Sequence, residues 1–406
     1  MDLVGTRAGI GAGVSIVRLE LRDDDPFGPD NLPYGIFAPA GGGFRAGVRI
    51  GTDVLDLAAL LEDPAFARPD LNAFLAQGSA RWHAVREQLR DLVRKPLPAA
   101  VIHPLDSVLL KLPIAIGDYV DFYASIDHAT RLGGFLRPNS PPLLPNWRHL
   151  PVGYHGRAGS VMVSGTPVIR PCGQLRTDSG TPEFAPSRRL DIEAELGFVV
   201  GVGSEHGVPI AVDDCAAHIF GVALVNDWSA RDIQSWEGQP LGPFLAKSFA
   251  TTMSAWITPL AALESAHVPL PEQSPEPLPY LRARADWGLD IDLRVHWNGQ
   301  EVSAPPYRAM YWSPAQMLAH LTANGAAVRP GDLFASGTIS GPAVRQSGSF
   351  IELSSNGTEP IDVGGEPRTF LEDGDTVTIT ATAPGPSGSR TALGEVSGQV
   401  QTARTC

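Results

Sequence analysis

The sequence predicts a two-domain protein built mainly from β-strands with some α-helix. At 406 residues the chain is longer than one compact core usually supports, so we expect a small and a large domain. Its 43 glycines and 37 prolines are spread along the chain and favour short strands and turns over long helices. Hydrophobic residues make up 43% and charged residues 18%, which is typical of a globular protein with a sizeable core.

Charge and cysteine content argue against several classes of function. The net charge of −13 comes without a visible cluster of lysine and arginine, which argues against nucleic acid or a membrane surface as partner. No signal-like N-terminus and no run of about 18 apolar residues occurs, so we expect a soluble, unexported protein. Cys172, Cys215 and Cys406 are odd in number and lack metal-ligand spacing. They predict neither a disulfide framework nor a zinc site, and they favour a reducing, cytoplasmic location.

The first domain is predicted to begin as a small β unit. Strand patterns occur over residues 14–21 and 34–37. Residues 46–50 and 54–57 flank the turn at 51–53 in the manner of a hairpin.

A helical region and a linker follow this unit. Residues 64–95 have apolar side chains at helical intervals of three and four, namely Leu71, Phe74, Leu75, Trp82, Val85, Leu89 and Leu92. Residues 95–98 contain two prolines and cannot continue a helix. We therefore place the boundary between residues 95 and 118, with domains spanning 1–117 and 118–406.

The second domain begins with a strand and a helix that carry reactive side chains. Alternation over residues 117–124 places Tyr119, Asp121 and Tyr123 on one strand face. A short helix is predicted over 125–132, ending at a pair of glycines, and it carries His128. A single histidine is more often packed or hydrogen-bonded than catalytic, so both interpretations of His128 stay open at this point.

An acidic strand over residues 190–200 is the feature that the second domain is built around. Alternation places Glu193 and Glu195 on one face, about 7 Å apart by the strand rise. Two like charges at this distance repel unless water or a cation lies between them. The pair is therefore either the solvated face of an edge strand or a pair of oxygen ligands for a hard metal ion.

Three further segments deliver polar groups to apolar surroundings. The apolar run 219–225 ends near Asp227, which is either a ligand at the end of a buried strand or the N-cap of a helix over 228–234. Lys247 lies among apolar neighbours, where a lysine reaches solvent or pairs with an acid. Glu352 interrupts an apolar segment, 349–353, which we predict to be a strand.

The final strands are predicted around two further segments. A strand ends in the Gly/Ser/Thr loop of residues 331–341, and residues 374–380 alternate as one more strand.

Several long sequence blocks resemble the fumarylacetoacetate hydrolase family. They occur in the family's order over nearly the whole chain and comprise residues 31–35, 119–123, 128–130, 145–147, 150–157, 163–167, 226–234, 241–245 and 336–342. The resemblance implies a small SH3-like N-terminal β-barrel followed by a large C-terminal mixed β-sandwich roll. It also implies a homodimer.

The same resemblance implies roles for individual residues. The metal ligands and the residues beside them are Asp121, Glu193, Glu195, Asp227, Lys247 and Thr251, and such an oxygen-rich set suits Mg²⁺ or Ca²⁺. His128 is the general base and Glu352 orients it. Arg231, Gln234 and Lys247 stabilise a developing oxyanion. The substrate-contacting residues are Tyr123, Arg137, Tyr154, Gln234 and Thr338.

The implied reaction is hydrolysis of the carbon–carbon bond of fumarylacetoacetate to fumarate and acetoacetate, the last step of tyrosine and phenylalanine catabolism. Two alternatives stay open: hydrolysis, decarboxylation or isomerisation of a related acylpyruvate or diacid, and a binding protein that has lost activity. One position departs from the family pattern, because Gly238 stands where a substrate-contacting tyrosine is usual. Loss of that phenol removes one hydrogen bond, worth about 1 kcal/mol, and widens the pocket.

Overall fold

A computed structural model describes residues 15–22, 24–177 and 179–406 of the chain. The α-helices of this part are Leu57–Leu61, Asn72–Leu75, Ser79–Leu92, Ile126–Leu136, Cys215–His218, Arg231–Glu237, Leu245–Ser248, Pro314–Thr322 and Phe350–Leu353. The 3-10 helices are Pro64–Ala67, Ala99–Val101, Leu105–Ser107, Ala158–Ser160, Val212–Asp214, Leu260–Ala266, Pro279–Leu281, Tyr307–Ala309, Val344–Gln346 and Pro386–Gly388. Within these residues, none of the helices has both the length and the apolar character needed to cross a bilayer.

A 13-stranded sheet runs through both halves of the chain. Its main path is, in spatial order, Ile102–Pro104, Asp53–Asp56, Arg45–Ile50, Tyr34–Ala38, Trp256–Pro259, Ile219–Asp227, Ala194–Val200, Leu333–Ala335, Tyr119–Phe122 and Gly153–His155. Three strands branch from this path, namely Leu109–Lys111, Thr251–Met253 and Val161–Val163. The prediction of a mainly β protein is therefore confirmed.

Smaller sheets complete the fold. A five-stranded sheet has the order Val168–Ile169, Arg390–Gln401, Thr376–Pro384, Asp292–Trp297 and Gln300–Ser303. Two-stranded pairs join Ile16–Val17 with Leu97–Pro98, Cys172–Arg176 with Pro182–Pro186, Leu190–Asp191 with Ser229–Ala230, His267–Val268 with Gly288–Leu289, and Ile361–Val363 with Glu366–Arg368.

The centre of the large sheet separates two hydrophobic cores. Along Ala194–Val200, the side chain of Phe198 packs into one core and that of Val199 into the other, because successive strand residues face opposite sides. The neighbouring strand Ile219–Asp227 divides its side chains in the same way. Both strands are buried throughout, which explains their nearly continuous apolar sequence.

The N-terminal strands join this sheet directly. Gly35 lies opposite Trp256 in an antiparallel pair, and a Cβ at Gly35 would come within 2.6 Å of the indole ring. Glycine is therefore required where the two segments meet. Among the described residues, the N-terminal strand pairings form no closed barrel.

Several local predictions differ from the structure. The strand predicted over 14–21 is limited to Ile16–Val17, and residue 14 lies outside the described residues. The helix carrying His128 does not end at Gly133 but runs over Ile126–Leu136. A Cβ at Gly133 would lie 2.0 Å from the carbonyl oxygen of Pro142, so this glycine permits close packing and does not break the helix.

The prediction that the cysteines form no disulfide is wrong, because Cys172 and Cys406 are joined by one although they lie 234 residues apart in sequence. Strand pairing explains their proximity. Val168 and Ile169 lie beside Val400 and Gln401 in parallel register, which brings the segments that follow each strand together. Cys215 is a free, buried thiol.

Candidate active site

Four buried carboxylates converge in the large sheet, on or beside the strands Tyr119–Phe122, Ala194–Val200 and Ile219–Asp227. One oxygen from each of the side chains lies within 4.8 Å of the others: Asp121, Glu193, Glu195 and Asp227. The structure thus brings the four predicted metal ligands together. The alternative of a solvated edge-strand face for Glu193 and Glu195 is wrong, because both acids are buried and the strand that carries Glu195 is paired on both sides.

Strand periodicity explains this convergence. Residues an even number of positions apart in a strand face the same side of the sheet. Three of the acids are related in this way to residues of one hydrophobic core: Asp121 to Tyr119, Asp227 to Val225, and Glu195 to Val199. The predicted single strand over 190–200 is in fact two segments, Leu190–Asp191 and Ala194–Val200. Glu193 lies in the break between them.

Two of the four carboxylates have protein partners. Glu193 accepts hydrogen bonds from Lys247 Nζ and from Arg231 Nη1, the latter at 2.7 Å. Asp227 accepts from Lys247 Nζ at 2.7 Å and from Thr251 Oγ1 at 2.9 Å. Thr251 lies directly opposite Asp227 in an antiparallel strand pair, so its hydroxyl is held at this position by the sheet.

The other two carboxylates have oxygens without a protein partner. Both side-chain oxygens of Glu195 and Oδ1 of Asp121 are buried without a hydrogen bond. Burial, together with the charge of Asp227, holds the pKa of Asp121 well above its usual range. Burial and the charge of Asp121 do the same to the pKa of Glu195. Because unpaired buried oxygens cost several kcal/mol, this donor set fits a divalent cation with oxygen ligands.

Lys247 and Arg231 keep one side of the acidic cluster neutralised. Burial alone would lower the pKa of Lys247, but the charges of Asp227 and Glu193 raise it above its usual value. Burial alone would raise the pKa of Glu193, yet the charges of Lys247 and Arg231 lower it far below the usual range. Lys247 is therefore a buried cation paired with acids, as the sequence suggested.

His128 and Glu352 form a buried pair beside the carboxylates. His128 Nδ1 lies 2.7 Å from Oε2 of Glu352, and His128 Nε2 lies 3.8 Å from Oε1 of Glu193. The imidazole thus bridges from Glu352 to the edge of the acidic cluster. Ser125 caps the helix and accepts a hydrogen bond from the His128 amide at 3.2 Å.

Glu352 lies on the helix Phe350–Leu353, so the strand predicted over 349–353 is wrong. Its carboxylate also accepts hydrogen bonds from Ser340 at 3.0 Å, Ser349 at 2.7 Å and Arg131 at 3.2 Å. Burial would raise the pKa of Glu352, but the His128 charge and the hydrogen bonds from His128 and Ser349 lower it below the usual value.

Arg231 reaches into the cluster from the first position of the helix Arg231–Glu237. Its Nη1 donates to Glu193 and, at 3.0 Å, to Oε1 of Gln234. Its Nη2 is buried and has no partner. The helix predicted over 228–234 therefore begins three residues later, after the short strand Ser229–Ala230.

The four remaining predicted substrate-binding residues differ in their contacts. Tyr154 donates to Asp227 at 3.3 Å, and the ring of Tyr123 packs edge-on against His128 with centroids 5.4 Å apart. Arg137 donates to a backbone carbonyl at 2.9 Å, and the buried Thr338 hydroxyl has no partner. Within the described residues, Arg137 and Thr338 make no hydrogen bond to another predicted site residue.

Gly238 follows the helix that carries Arg231 and Gln234. Its φ of −61° suits any residue, but an added Cβ would lie 2.7 Å from the carbonyl oxygen of Gln234. A side chain at this position therefore requires the backbone to shift.

Arg131, Ser340 and Ser349 contact Glu352 but have no predicted site role. Arg131 lies three residues after His128, and Ser349 lies three residues before Glu352, so helical spacing could have indicated both. Ser340 is brought to Glu352 by a loop, and no sequence pattern indicates its contact.

A buried carboxylate cluster with unpaired oxygens, beside a histidine oriented by a glutamate, defines a class of enzyme. Such an enzyme combines a divalent cation with general-base activation of water.

Sequence comparison identifies the family. The model described as "Fumarylacetoacetate (FAA) hydrolase C-terminal" matches residues 119–401, and "Fumarylacetoacetase N-terminal" matches residues 30–113. The chain is 45% identical to fumarylacetoacetase of Rattus norvegicus over 94% of this chain and 98% of that one, and 44% identical to that of Homo sapiens with the same coverage. The chain belongs to the fumarylacetoacetate hydrolase family, which confirms the resemblance.

Solved structures share the fold at lower identity. Fumarylacetoacetate hydrolase from Exiguobacterium antarcticum has a TM-score of 0.55 at 18% identity, covering 92% of this chain and 100% of that chain. Maleylpyruvate hydrolase from Sphingobium sp. SYK-6 has a TM-score of 0.53 at 18% identity, covering 91% and 100%.

Proposed function

We propose that this protein hydrolyses the carbon–carbon bond of fumarylacetoacetate, giving fumarate and acetoacetate. Identity of 44–45% to fumarylacetoacetases over nearly the full chain supports this activity. The observation that carries the proposal is the His128–Glu352 pair, whose free imidazole nitrogen faces the four-carboxylate cluster.

His128 acts as the general base. Glu352 accepts a hydrogen bond from the Nδ1–H group, which fixes the tautomer and leaves Nε2 as an acceptor toward the cluster. Nε2 then takes a proton from water as the water oxygen attacks the ketone carbonyl of the fumaryl half. Glu352 stabilises the imidazolium that forms.

Three groups stabilise the oxyanion that forms at the attacked carbonyl. Arg231 offers the unpaired Nη2. The amide oxygen of Gln234 accepts from Arg231, so its NH₂ group is directed elsewhere and can donate. Lys247 has three N–H donors and uses two on Glu193 and Asp227, which leaves one for the substrate.

The carbon–carbon bond then breaks, and the acetoacetate half leaves with the bonding electrons. It takes up the proton that the His128 imidazolium returns, which restores the neutral base. Asp121, Glu193, Glu195 and Asp227 would hold Mg²⁺ or Ca²⁺, since all offered atoms are oxygens. When bound, the cation supplies Lewis-acid stabilisation of negative charge on the leaving half. Lys247 and Thr251 hold the Asp227 carboxylate in position.

The substrate ends are bound by residues around this centre. Arg137 pairs with a terminal carboxylate, and Tyr123, Tyr154 and Thr338 donate hydroxyl hydrogen bonds. The Thr338 hydroxyl supports this assignment because it is buried without a protein partner.

A turnover assay with fumarylacetoacetate tests the proposal. His128→Ala is expected to lower kcat by about 100- to 10,000-fold. The matched control is His218→Ala, because His218 is a half-buried histidine whose Nδ1 contacts the carbonyl oxygen of Val202 at 2.8 Å. Full turnover by the His128 variant contradicts the mechanism. Decarboxylation or isomerisation of a related diacid, with no hydrolysis of fumarylacetoacetate by the unmodified protein, contradicts the proposed reaction.

The remaining proposals concern organisation. We propose that the chain divides into domains of residues 1–117 and 118–406, a division that the two family-model matches support. The SH3-like barrel and the β-sandwich roll are proposed for these two domains from the family resemblance alone. We also propose a cytoplasmic homodimer without nucleic-acid or membrane partners. The net charge of −13 supports the absence of these anionic partners. Light scattering of the purified protein tests the dimer.

A further inference from the structure

Asp191 is a fully buried acid beside the site, and the proposed mechanism above gives it no role. Its carboxylate accepts four hydrogen bonds from three segments of the chain. Oδ1 accepts from the amides of Ile192 and Phe350, each at 2.7 Å. Oδ2 accepts from Arg231 Nε at 2.8 Å and from the amide of Ile351 at 3.0 Å.

Two of these bonds hold the helix that carries Glu352. The first amides of a helix have no partner within it, and the preceding serine usually accepts from one of them. Ser349 makes no such bond, because its hydroxyl donates to Glu352 instead. Asp191 accepts from the amides of Phe350 and Ile351 and so anchors this helix from another segment.

The bond to Arg231 fixes the opposite side of the site. Nε is held by Asp191 and Nη1 by Glu193, so the plane of the guanidinium is set at two points. Because the plane of the guanidinium is fixed, the N–H bonds of the unpaired Nη2 also point in fixed directions. Without Asp191, the guanidinium could rotate about its remaining contacts.

We propose that Asp191 is a positioning residue that fixes the oxyanion donor Arg231 and the helix of Glu352 relative to each other. It does not touch the substrate, and it acts through groups that do. The inference rests on the proposed function, because both groups are assigned their roles there.

The test is a kinetic double-mutant cycle on the full-length protein with added Mg²⁺. Asp191→Asn should lower kcat about 10- to 100-fold with KM within about threefold, as is typical when a supporting hydrogen bond is removed. In an Arg231→Lys background, which has no Nε, the same substitution should cost less than it does alone. Equal factors in the two backgrounds would overturn the proposal.

Asp375→Asn is the matched structural control. Asp375 is a buried acid distant in sequence from the site, and it accepts from Arg368 at 2.6 Å, Asn298 at 2.9 Å and the Glu372 amide at 2.7 Å. Thermal unfolding should show both variants destabilised, but Asp375→Asn should keep kcat near that of the unmodified protein. An equal loss of kcat in both variants would mean that Asp191 is only structural.

If Asp191→Asn does not fold, Asp191→Glu replaces it, since it keeps the charge but moves the oxygens. Its kcat should fall, and an unchanged kcat contradicts the proposal. Failure of the unmodified protein to hydrolyse fumarylacetoacetate contradicts the proposed function instead. The cycle is then run on the acylpyruvate that it does hydrolyse.

Discussion

Glu352 and Glu195 are buried glutamates of the same site, and their surroundings are opposite. Glu352 accepts hydrogen bonds from His128, Ser340 and Ser349, and its pKa is lowered. Both oxygens of Glu195 lack a protein partner, and burial raises its pKa well above the usual range. The protein therefore completes the environment of one carboxylate and leaves the other to be completed by a bound group.

This difference separates two functions of buried acids. A carboxylate with all its donors supplied by the fold is held in one orientation and serves to position a neighbour. A carboxylate without donors is costly in the protein alone, and a cation offsets that cost. Metal removal and substitution should therefore affect the two glutamates differently.

The largest expected effect is that of metal removal. Treatment with a chelator followed by gel filtration should lower turnover at least about 1,000-fold, because Lewis-acid stabilisation is worth several kcal/mol. Addition of Mg²⁺ or Ca²⁺ should restore it. Turnover that persists in protein shown by elemental analysis to be free of divalent metal would contradict a cation role for Glu195 and its neighbours.

Glu352→Gln should lower kcat about 100-fold while leaving Mg²⁺ affinity near its original value. The substitution removes the charge that stabilises the His128 imidazolium, but it leaves the four clustered carboxylates in place. Stopped assays give kcat, and isothermal titration with Mg²⁺ gives the affinity. A large loss of Mg²⁺ affinity would show that the two parts of the site are not separable.

The same pair of glutamates should respond oppositely in unfolding experiments on metal-free protein. Glu195→Gln should raise the free energy of unfolding by about 1–3 kcal/mol, because glutamine avoids the cost of protonating, or of burying as an unpaired charge, a carboxylate that has no partner. Glu352→Gln should lower it by a similar amount, because it leaves buried donors unsatisfied. Urea titrations measure both free energies of unfolding. A change of the same sign in both variants would contradict the assignment of opposite surroundings to Glu195 and Glu352.

The smallest expected effect is on the pH dependence of stability. The pKa of Glu352 is lower in the folded protein than its ordinary value, so its stabilising contribution is complete above the unfolded-state pKa. That contribution is lost as pH falls through the folded-state pKa. The difference in unfolding free energy between the unmodified protein and Glu352→Gln should therefore shrink on acidification. A difference that stays constant down to acid unfolding would contradict the assigned pKa shift.

Much of the central sheet could be predicted from the sequence. The apolar run 219–225 and the alternation over 117–124 predict strands, and the structure has strands at Ile219–Asp227 and Tyr119–Phe122. The helix that carries Glu352 could not be predicted. The helix Phe350–Leu353 is short enough for either pattern to fit, and its first amides bond to the distant Asp191.

Glycine and cysteine positions show the same limit. Gly133 was expected to end a helix, yet it lies inside one because Pro142 packs against it. Cys172 and Cys406 gave no disulfide signal because parallel strand pairing far apart in sequence brings them together.

The sequence by itself determined the family, the mainly β class and the acids that form the cluster, because these depend on residue types in characteristic order. Only the tertiary structure decided which acids have partners and which do not. His128 meets Glu352 across 224 residues, and Arg231 meets Glu193 across 38. Such contacts depend on strand order and helix placement, which no local pattern encodes. The unpaired oxygens of Glu195 are therefore visible only in the folded protein.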